Sequence, residues 1–326
     1  MPKPAKTPWT RKHLLGLENL SAGEIRTLLD AADGYLPCVT HRKACRQTLA
    51  GRTVLNLFVE DSTRTRTSFT LAAERLGARV IQFHAATSSL NKKESLLDTA
   101  RNVEAMGLDA IVLRHSEREA PHRLAEAVQC SVLNAGDDAH EHPTQALLDM
   151  LAMRRKLGRL EGLTVAIVGD IRHSRVARSN YWGLTKFGSR IIFVGPPVFL
   201  EGVEAPAETS TDLDAVLPQC DAVMMLRVQF ERHAGLAFDA NAYMRGYQLT
   251  PARLARARPG AIVLHPGPIN RGLEITDEAA DGPQSVILFQ VTCGVAVRMA
   301  ALELCIGATE RERAAAAKPA RKGKRR

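Results

Sequence analysis

A dense group of anion-binding side chains follows the first strongly apolar run of the sequence. Residues 60–66 read Glu-Asp-Ser-Thr-Arg-Thr-Arg and come directly after the β-branched run 53–59. Hydroxyls, guanidinium groups and the backbone N–H groups of a helix start can together hold a phosphate without a metal ion or a glycine-rich loop. A capped helix start with solvated arginines would have the same residues, so this segment alone leaves both interpretations open.

Further polar groups stand at similar places, each after an apolar run. They are Arg114 with His115, residues 134–145 with His142 and Gln145, residues 169–179 with Arg175, residues 226–232 with Arg227 and Gln229, and residues 265–271. Any one such histidine or arginine is more often structural or solvated. Together, cations, amide and imidazole suit a carbonyl oxygen that gains negative charge in a transition state, and Arg175 and Arg227 suit two carboxylates. The residues alone indicate a site for two anions, a phosphate on one domain and a dicarboxylate or similar anion on the other.

The elements that must position these groups alternate between short apolar runs and helical patterns. This alternation predicts an α/β fold of two doubly wound parallel-sheet domains with a cleft between them, where the carboxyl ends of the strands meet ligands. We expect strands at residues 53–59, 79–83, 110–113 and 131–133, then at 164–168, 190–194, 222–226 and 261–264, and helices at 21–36, 67–76, 95–106, 121–128 and 143–157.

The same pattern divides the chain into five parts. We expect a basic tail at residues 1–13, a first domain at 14–155, a second domain at 156–285, a C-terminal helix at 286–309 that packs back on the first domain, and a basic disordered tail at 310–326. The net charge is +9, of which residues 1–13 contribute +4 and residues 310–326 contribute +6, so the body carries −1. Because the body lacks a basic stripe with interleaved aromatics, no specific nucleic-acid binding is expected.

Composition and motifs exclude several other classes. The chain has 326 residues, 45% hydrophobic and 24% charged, which is typical of a soluble globular protein. Its most apolar segment, residues 285–307, is interrupted by Gln290, Arg298 and Glu303, so no membrane span is expected. Without an apolar stretch after the basic N-terminus, we expect a cytoplasmic protein rather than a secreted one. The phosphate-binding glycine motif of nicotinamide enzymes is absent.

The six cysteines stand at positions 38, 45, 130, 220, 293 and 305, with no closely spaced pair. This spacing predicts reduced, mostly buried thiols and neither a disulfide framework nor a zinc site.

Five motifs in one order resemble the aspartate/ornithine carbamoyltransferase family from about residue 15 to 304. They are residues 58–69, Ser88 with Lys92 and Glu94, residues 134–149, residues 226–232, and His-Pro-Gly-Pro at 265–268. The ornithine-using members share the phosphate segment but typically carry a cysteine-containing His-Cys-Leu-Pro loop. The resemblance therefore implies carbamoyl phosphate and L-aspartate as substrates, N-carbamoyl-L-aspartate and phosphate as products, and a place in pyrimidine (UMP) biosynthesis.

The resemblance also implies the residue roles. Ser62, Thr63, Arg64 and Thr65 would hold the phosphate; Arg114, His142 and Thr65 would polarise the carbonyl; Gln145 and the carbonyls of Gly267 and Pro268 would hold the carbamoyl NH2; and Arg175, Arg227, Gln229 and Lys92 would bind aspartate. Arg64, Thr65, Arg114 and His142 would be the catalytic set, with no metal and no cofactor. Ser88 and Lys92 would come from a neighbouring subunit of a homotrimer, which could join regulatory or dihydroorotase chains.

Departures from the family pattern keep two alternatives open. Lys93 and Asp138 stand where the family usually has glycine, so a positive φ at either position would cost about 1 kcal/mol. The alternatives are a transcarbamoylase with another amine acceptor and an inactive, scaffold-like subunit. The catalytic set is complete, which argues against the scaffold.

Overall fold

The computed structural model describes residues 7–41, 43–84, 94–229 and 239–317, and these residues form two parallel sheets flanked by helices. The predicted α/β fold is confirmed. The first sheet contains β1 (Thr53–Phe58), β2 (Arg79–His84), β3 (Ala110–His115) and β4 (Ser131–Asp137) in the order β2-β1-β3-β4. Its helices are α2 (Thr63–Arg75), α3 (Leu96–Glu104) and α4 (Ala120–Ala127).

The second sheet contains five parallel strands in the order β7-β6-β5-β8-β9. They are β5 (Thr164–Val168), β6 (Arg190–Val194), β7 (Glu208–Ser210), β8 (Ala222–Met225) and β9 (Ile262–Leu264). Its helices are α6 (Arg175–Thr185), α7 (Pro197–Leu200), α8 (Leu213–Val216), a 3-10 turn at Leu217–Gln219, α9 (Ala240–Tyr247), α10 (Pro251–Leu254) and α11 (Asp277–Asp281). Sequence analysis missed β7, because its three residues are polar and lie at an exposed sheet edge.

Helices α5 (Pro143–Leu157) and α12 (Ile287–Ala316) contact strands of both sheets, and α1 (Ala22–Thr40) packs against these two helices. The long α12 packs against α1, α5 and α2, which confirms that the C-terminal helix returns to the first domain. By length and composition α12 is apolar enough to cross a membrane, but 72% of its most apolar window is buried inside the molecule. It is therefore better understood as a core helix.

The prediction for the C-terminal tail is wrong in part. Helix α12 continues to Ala316, so the disordered tail expected at residues 310–326 is helical from 310 to 316; residues 318–326 lie outside the described part. In the segment predicted as the N-terminal basic tail, residues 1–13, the described residues pack on the body, since Trp9 is buried and the guanidinium of Arg11 pairs with Glu24 at 2.6 Å. The guanidinium of Arg311 donates to the carbonyl of Trp9 at 2.9 Å, so the segment before α1 is held to the last turns of α12.

The prediction of six reduced cysteines is also wrong for one pair. Cys38, in the last turn of α1, forms a disulfide with Cys45, and their Cα atoms are 5.6 Å apart. The chain turns back after α1, which brings two cysteines separated by seven positions into the range a disulfide requires. The other four cysteines are free and buried, as expected.

Candidate active site

A cleft of about 700 Å³ opens between the carboxyl ends of the two sheets. It is lined by every predicted site residue that the structure describes, namely Ser62, Thr63, Arg64, Thr65, Arg114, His142, Gln145, Arg175, Arg227, Gln229, Gly267 and Pro268. Ser88 and Lys92, as well as Lys93, lie outside the described residues. The structure therefore brings together the groups that strand-end reasoning selected from both domains.

The phosphate-binding candidates form the first turn of α2 rather than a loop before it. Ser62 is the N-cap, and its side-chain oxygen accepts the N–H of Thr65 at 3.4 Å. The helix starts four residues earlier than predicted, at Thr63, because this hydroxyl cap stabilises its first turn. The N-terminal end of the helix dipole thus faces the cleft, which favours an anion there. Burial, and then the positive charge of Arg227, lower the pKa of Arg64.

Glu60 joins two of the cleft arginines, one from each domain. Its carboxylate accepts from Arg114 at 2.5 Å and from Arg175 at 2.6 and 3.0 Å. Burial alone would raise the pKa of Glu60, but the hydrogen bonds and charges of Arg175 and Arg114 hold it below its usual value. Burial, and then the charge of Arg175, lower the pKa of Arg114 to about 10. Sequence analysis quoted Glu60 in its motif but assigned it no role.

Gly136 lets these two arginines approach the backbone of β4. Its φ is +115°, and a Cβ atom there would lie 3.0 Å from Nε of Arg175 and 3.3 Å from Nη1 of Arg114. Only glycine fits both the backbone conformation and the close approach. Asp138, two residues after Gly136, has a φ of 42°, which is the left-handed conformation that is costly for a residue other than glycine.

The turn that leads from β4 to His142 is anchored on the buried carboxylate of Asp137. This carboxylate accepts from the side chains of Asn134 and His140 and from the N–H groups of Glu119 and Glu141. His142 then starts α5 as its N-cap residue, and its N–H donates to Oγ of Ser179 at 2.9 Å. Complete burial, and then the nearby arginines, lower the pKa of His142 well below its ordinary value, so its imidazole is neutral.

A second buried carboxylate, Asp149, lies one helical turn after Gln145. Its Oδ1 accepts from Nε2 of Gln145 at 2.9 Å and from Nε2 of Gln290 at 2.7 Å, and its Oδ2 accepts from Asn180 at 2.8 Å. Burial raises the pKa of Asp149 to about 7. Sequence analysis included Asp149 in a motif and noted Gln290 only as a polar interruption, so neither was predicted to serve the site.

The second domain contributes the opposite wall of the cleft. Gln229 donates to the carbonyl of His173 at 3.1 Å, which fixes its amide beside the first turn of α6. In the 265–268 segment, Nδ1 of His265 accepts the N–H of Gly267 at 2.8 Å. A Cβ atom at Gly267 would lie 3.4 Å from Nε of Arg64, so this segment reaches the phosphate-binding helix of the other domain.

His115 follows Arg114 at the end of β3 but does not line the cleft. Its Nδ1 accepts the N–H of Glu117 at 3.0 Å, which stabilises the turn after β3. Of the polar pair at the end of this strand, Arg114 alone faces the cleft.

Comparisons with known proteins agree along nearly the whole chain. The carbamoyl-P binding domain of aspartate/ornithine carbamoyltransferases matches residues 12–155, and the Asp/Orn binding domain of the same family matches residues 161–305. The aspartate carbamoyltransferase catalytic subunit of Gluconobacter oxydans is 55% identical over 300 residues, which cover 91% of this chain and 96% of that protein.

Solved structures show the same architecture. Aspartate transcarbamoylase from Trypanosoma cruzi, in complex with carbamoyl aspartate and phosphate, has a TM-score of 0.80 and 29% identity, covering 91% of this chain and 98% of that one. Ornithine carbamoyltransferase from Pyrococcus furiosus has a TM-score of 0.81 and 28% identity, covering 91% and 97%. Backbone similarity therefore does not separate the two substrate types, whereas the 55% identical relative is named for aspartate.

Proposed function

The chain belongs to the aspartate/ornithine carbamoyltransferase family, and from that premise we propose how its cleft carries out carbamoyl transfer. The chain is an enzyme that transfers the carbamoyl group of carbamoyl phosphate to L-aspartate, giving N-carbamoyl-L-aspartate and phosphate. The roles of its residues, its assembly and its place in the cell belong to the proposal.

One observation supports the placement of two anionic substrates. Arg64 from the first domain and Arg227 from the second are close enough across the cleft for the charge of one to lower the pKa of the other. Arg114 and Arg175 likewise face each other, with the Glu60 carboxylate between them. Like charges held on opposite walls are stabilised when anions bind between them.

The first domain would bind carbamoyl phosphate. Ser62, Thr63, Arg64 and Thr65 would surround the phosphate at the start of α2, where the helix N-terminus adds its own positive potential. Arg114, Thr65 and the neutral His142 would donate to the carbonyl oxygen, which becomes more negative as the amine attacks. The carbamoyl NH2 would lie between Gln145 and the carbonyls of Gly267 and Pro268.

The second domain would bind aspartate through Arg175, Arg227 and Gln229, with Lys92 of a neighbouring subunit. Once deprotonated, the amine of aspartate attacks the carbonyl carbon, and the C–O bond to phosphate then breaks. The leaving phosphate takes the proton from nitrogen, so no protein base is required. Positioning two anions and stabilising the developing oxyanion together supply about 8 kcal/mol or more of barrier lowering.

The assembly and cellular setting follow from the same reasoning. A homotrimer whose subunits lend Ser88 and Lys92 to one another would complete each site, and larger assemblies with regulatory or dihydroorotase chains are consistent with the family. N-carbamoyl-L-aspartate is a precursor for pyrimidine synthesis, and the body of the chain fits a cytoplasmic enzyme. A mass measurement on protein purified from its own cells tests the assembly.

An assay of both acceptors tests the function. Purified protein should form carbamoyl aspartate from carbamoyl phosphate and L-aspartate without added metal, and it should not use L-ornithine. Faster turnover of ornithine would establish the alternative acceptor. Tight binding of carbamoyl phosphate without turnover of either amine would favour the scaffold.

A further inference from the structure

Asp149 is a fully buried carboxylate on which three side-chain amides converge. Gln145 belongs to the same helix, Asn180 to α6 of the second domain and Gln290 to α12, so the contact joins three elements. An ionised carboxylate only accepts hydrogen bonds, so each of these amides must turn its NH2 group toward Asp149. Burial raises the pKa of Asp149 to about 7, whereas the hydrogen bonds of the three amides and then the positive charge of the buried Arg298 oppose that rise and favour the ionised form.

This constraint determines which atom of Gln145 is offered to the cleft. A carboxamide has one NH2 group and one oxygen on opposite sides of its carbon. With Nε2 held at 2.9 Å from Asp149, Oε1 is turned away from that carboxylate, and Gln145 lines the cleft. Gln145 thereby presents a hydrogen-bond acceptor rather than a donor.

Gln290 extends the same constraint to the opposite side of the cleft. Its Nε2 donates to Asp149 at 2.7 Å, while its Oε1 accepts the N–H of His265 at 3.0 Å. His265 in turn accepts the N–H of Gly267 at 2.8 Å. Because the N–H groups of His265 and Gly267 are engaged and Pro266 and Pro268 have none, the backbone of the 265–268 segment can offer a ligand only carbonyl groups, among them those of Gly267 and Pro268.

We propose that Asp149 is a positioning residue that makes the cleft select a donor bearing an NH2 group, by orienting Gln145 directly and the 265–268 segment through Gln290. The inference rests on the proposed function, in which these groups hold the carbamoyl NH2. It goes further by identifying Asp149 as the residue that turns hydrogen-bond acceptors, rather than donors, toward this NH2 group. A donor with a methyl group in place of NH2 leaves these acceptors unpaired, and unpaired buried acceptors discriminate strongly between substrates.

Acetyl phosphate is the probe for this selection, because it differs from carbamoyl phosphate by CH3 in place of NH2. The measurements are the KM of carbamoyl phosphate and the inhibition constant of acetyl phosphate as its competitor. In Asp149→Leu, which has no acceptor, we expect the KM of carbamoyl phosphate to rise about tenfold or more, with the acetyl phosphate constant changed by less than about threefold. Asp149→Asn is the second variant, in case the leucine variant fails to fold. It keeps the side-chain volume and one acceptor oxygen, so the ratio of the acetyl phosphate inhibition constant to the KM of carbamoyl phosphate should fall by about threefold.

Asp221→Asn is the matched control. Asp221 is likewise a carboxylate that accepts a hydrogen bond, from the backbone N–H of Thr164 at 2.8 Å, but it stands at the amino end of the second sheet, outside the cleft. Its replacement should leave the ratio of the two constants unchanged. If the constants for carbamoyl phosphate and acetyl phosphate rise in parallel in a folded Asp149 variant, or neither changes, the inference is wrong. If the wild-type protein itself fails to turn over carbamoyl phosphate with aspartate, the proposed function is wrong instead.

Discussion

Arginine side chains perform different tasks on the two walls of the cleft, and single substitutions should separate them. Arg64→Ala should lower kcat by about two orders of magnitude or more, because it removes a charge directed at both phosphate and oxyanion. Arg227→Ala should mainly raise the KM of aspartate, with a smaller loss of kcat and nearly unchanged carbamoyl phosphate binding. Steady-state kinetics and equilibrium binding measure these effects.

Arg271→Ala is the control for both variants, because Arg271 is exposed and pairs with Asp277 and Asp281 outside the cleft. It should behave like the wild type. Identical kinetic profiles for the Arg64 and Arg227 variants would contradict the division of labour between the domains.

His142 should make stability depend on pH in a defined direction. Burial lowers its pKa in the folded state, whereas the unfolded chain binds a proton below the ordinary value of 6.5. The unfolded state therefore gains protons first as the pH falls, and stability that is present above about pH 6.5 is lost below it, by about 1.4 kcal/mol per pH unit. Asp149, with its pKa raised to about 7, and His13, with its pKa lowered to about 4 by burial, titrate in both proteins, so the His142 contribution is the difference between the urea-unfolding curves of wild type and His142→Gln between pH 5 and 8, and the wild type should lose more stability as the pH falls. Parallel curves would mean that His142 is protonated in the folded protein.

At the scale of elements, the backbone at the end of β4 limits which substitutions are compatible with an active cleft. Gly136→Ala should cost about 1 kcal/mol through its positive φ and should also displace Arg175 and Arg114, lowering kcat/KM by about tenfold or more. Thermal unfolding and steady-state kinetics measure the two effects. Gly158→Ala is the control, since Gly158 has a φ of +76° with open space around it. It should lose stability and keep activity; a fully active Gly136→Ala would show that the arginines do not depend on this glycine.

Local signals predicted elements well where the ends were marked by the residues themselves. Helix α5 was predicted at 143–157 and is observed at Pro143–Leu157, because Pro143 starts it and Gly158 ends it in the left-handed conformation. The start of α2 was misplaced because the β-branched threonines of its first turns are weak helix formers, while the Ser62 cap stabilises an earlier start. Helix α12 extends beyond its predicted end because Arg311 and Arg313 bind carbonyls of distant segments.

Site residues were predictable where they stand at strand ends, and not where distant partners define them. The cleft residues of both domains were found because the carboxyl ends of parallel strands share an edge. Glu60 meets Arg175 across 115 positions, and Asp149 meets Gln290 across 141 positions. No local pattern contains such pairings, so the two carboxylates that organise the cleft became visible only in the folded chain.

At the scale of the whole molecule, the family pattern predicts that each site is shared between subunits. Lys92→Ala and Arg64→Ala should each be nearly inactive alone. After dissociation and reassociation as a mixture, some sites would combine an intact Lys92 with an intact Arg64, and activity should return. Mass spectrometry confirms that hybrids formed. Hybrids as inactive as their parents would show that Lys92 does not complete a neighbour's site.

The hydrogen bond from Arg311 to the carbonyl of Trp9 affects the order in which the helices and strands can follow one another along the chain. Because residues 9 and 311 touch, the described part of the chain is nearly a closed ring, and the order of its elements along the chain is separable from its architecture. A circular permutant that joins residue 317 to residue 7 by a short linker and opens at the exposed turn of Glu161 and Gly162 would place the second domain first. It should reach the same fold and bind both substrates, since it leaves both sheets and α12 uninterrupted. Circular dichroism and the transferase assay would show whether the cleft depends on chain order or only on how the elements pack.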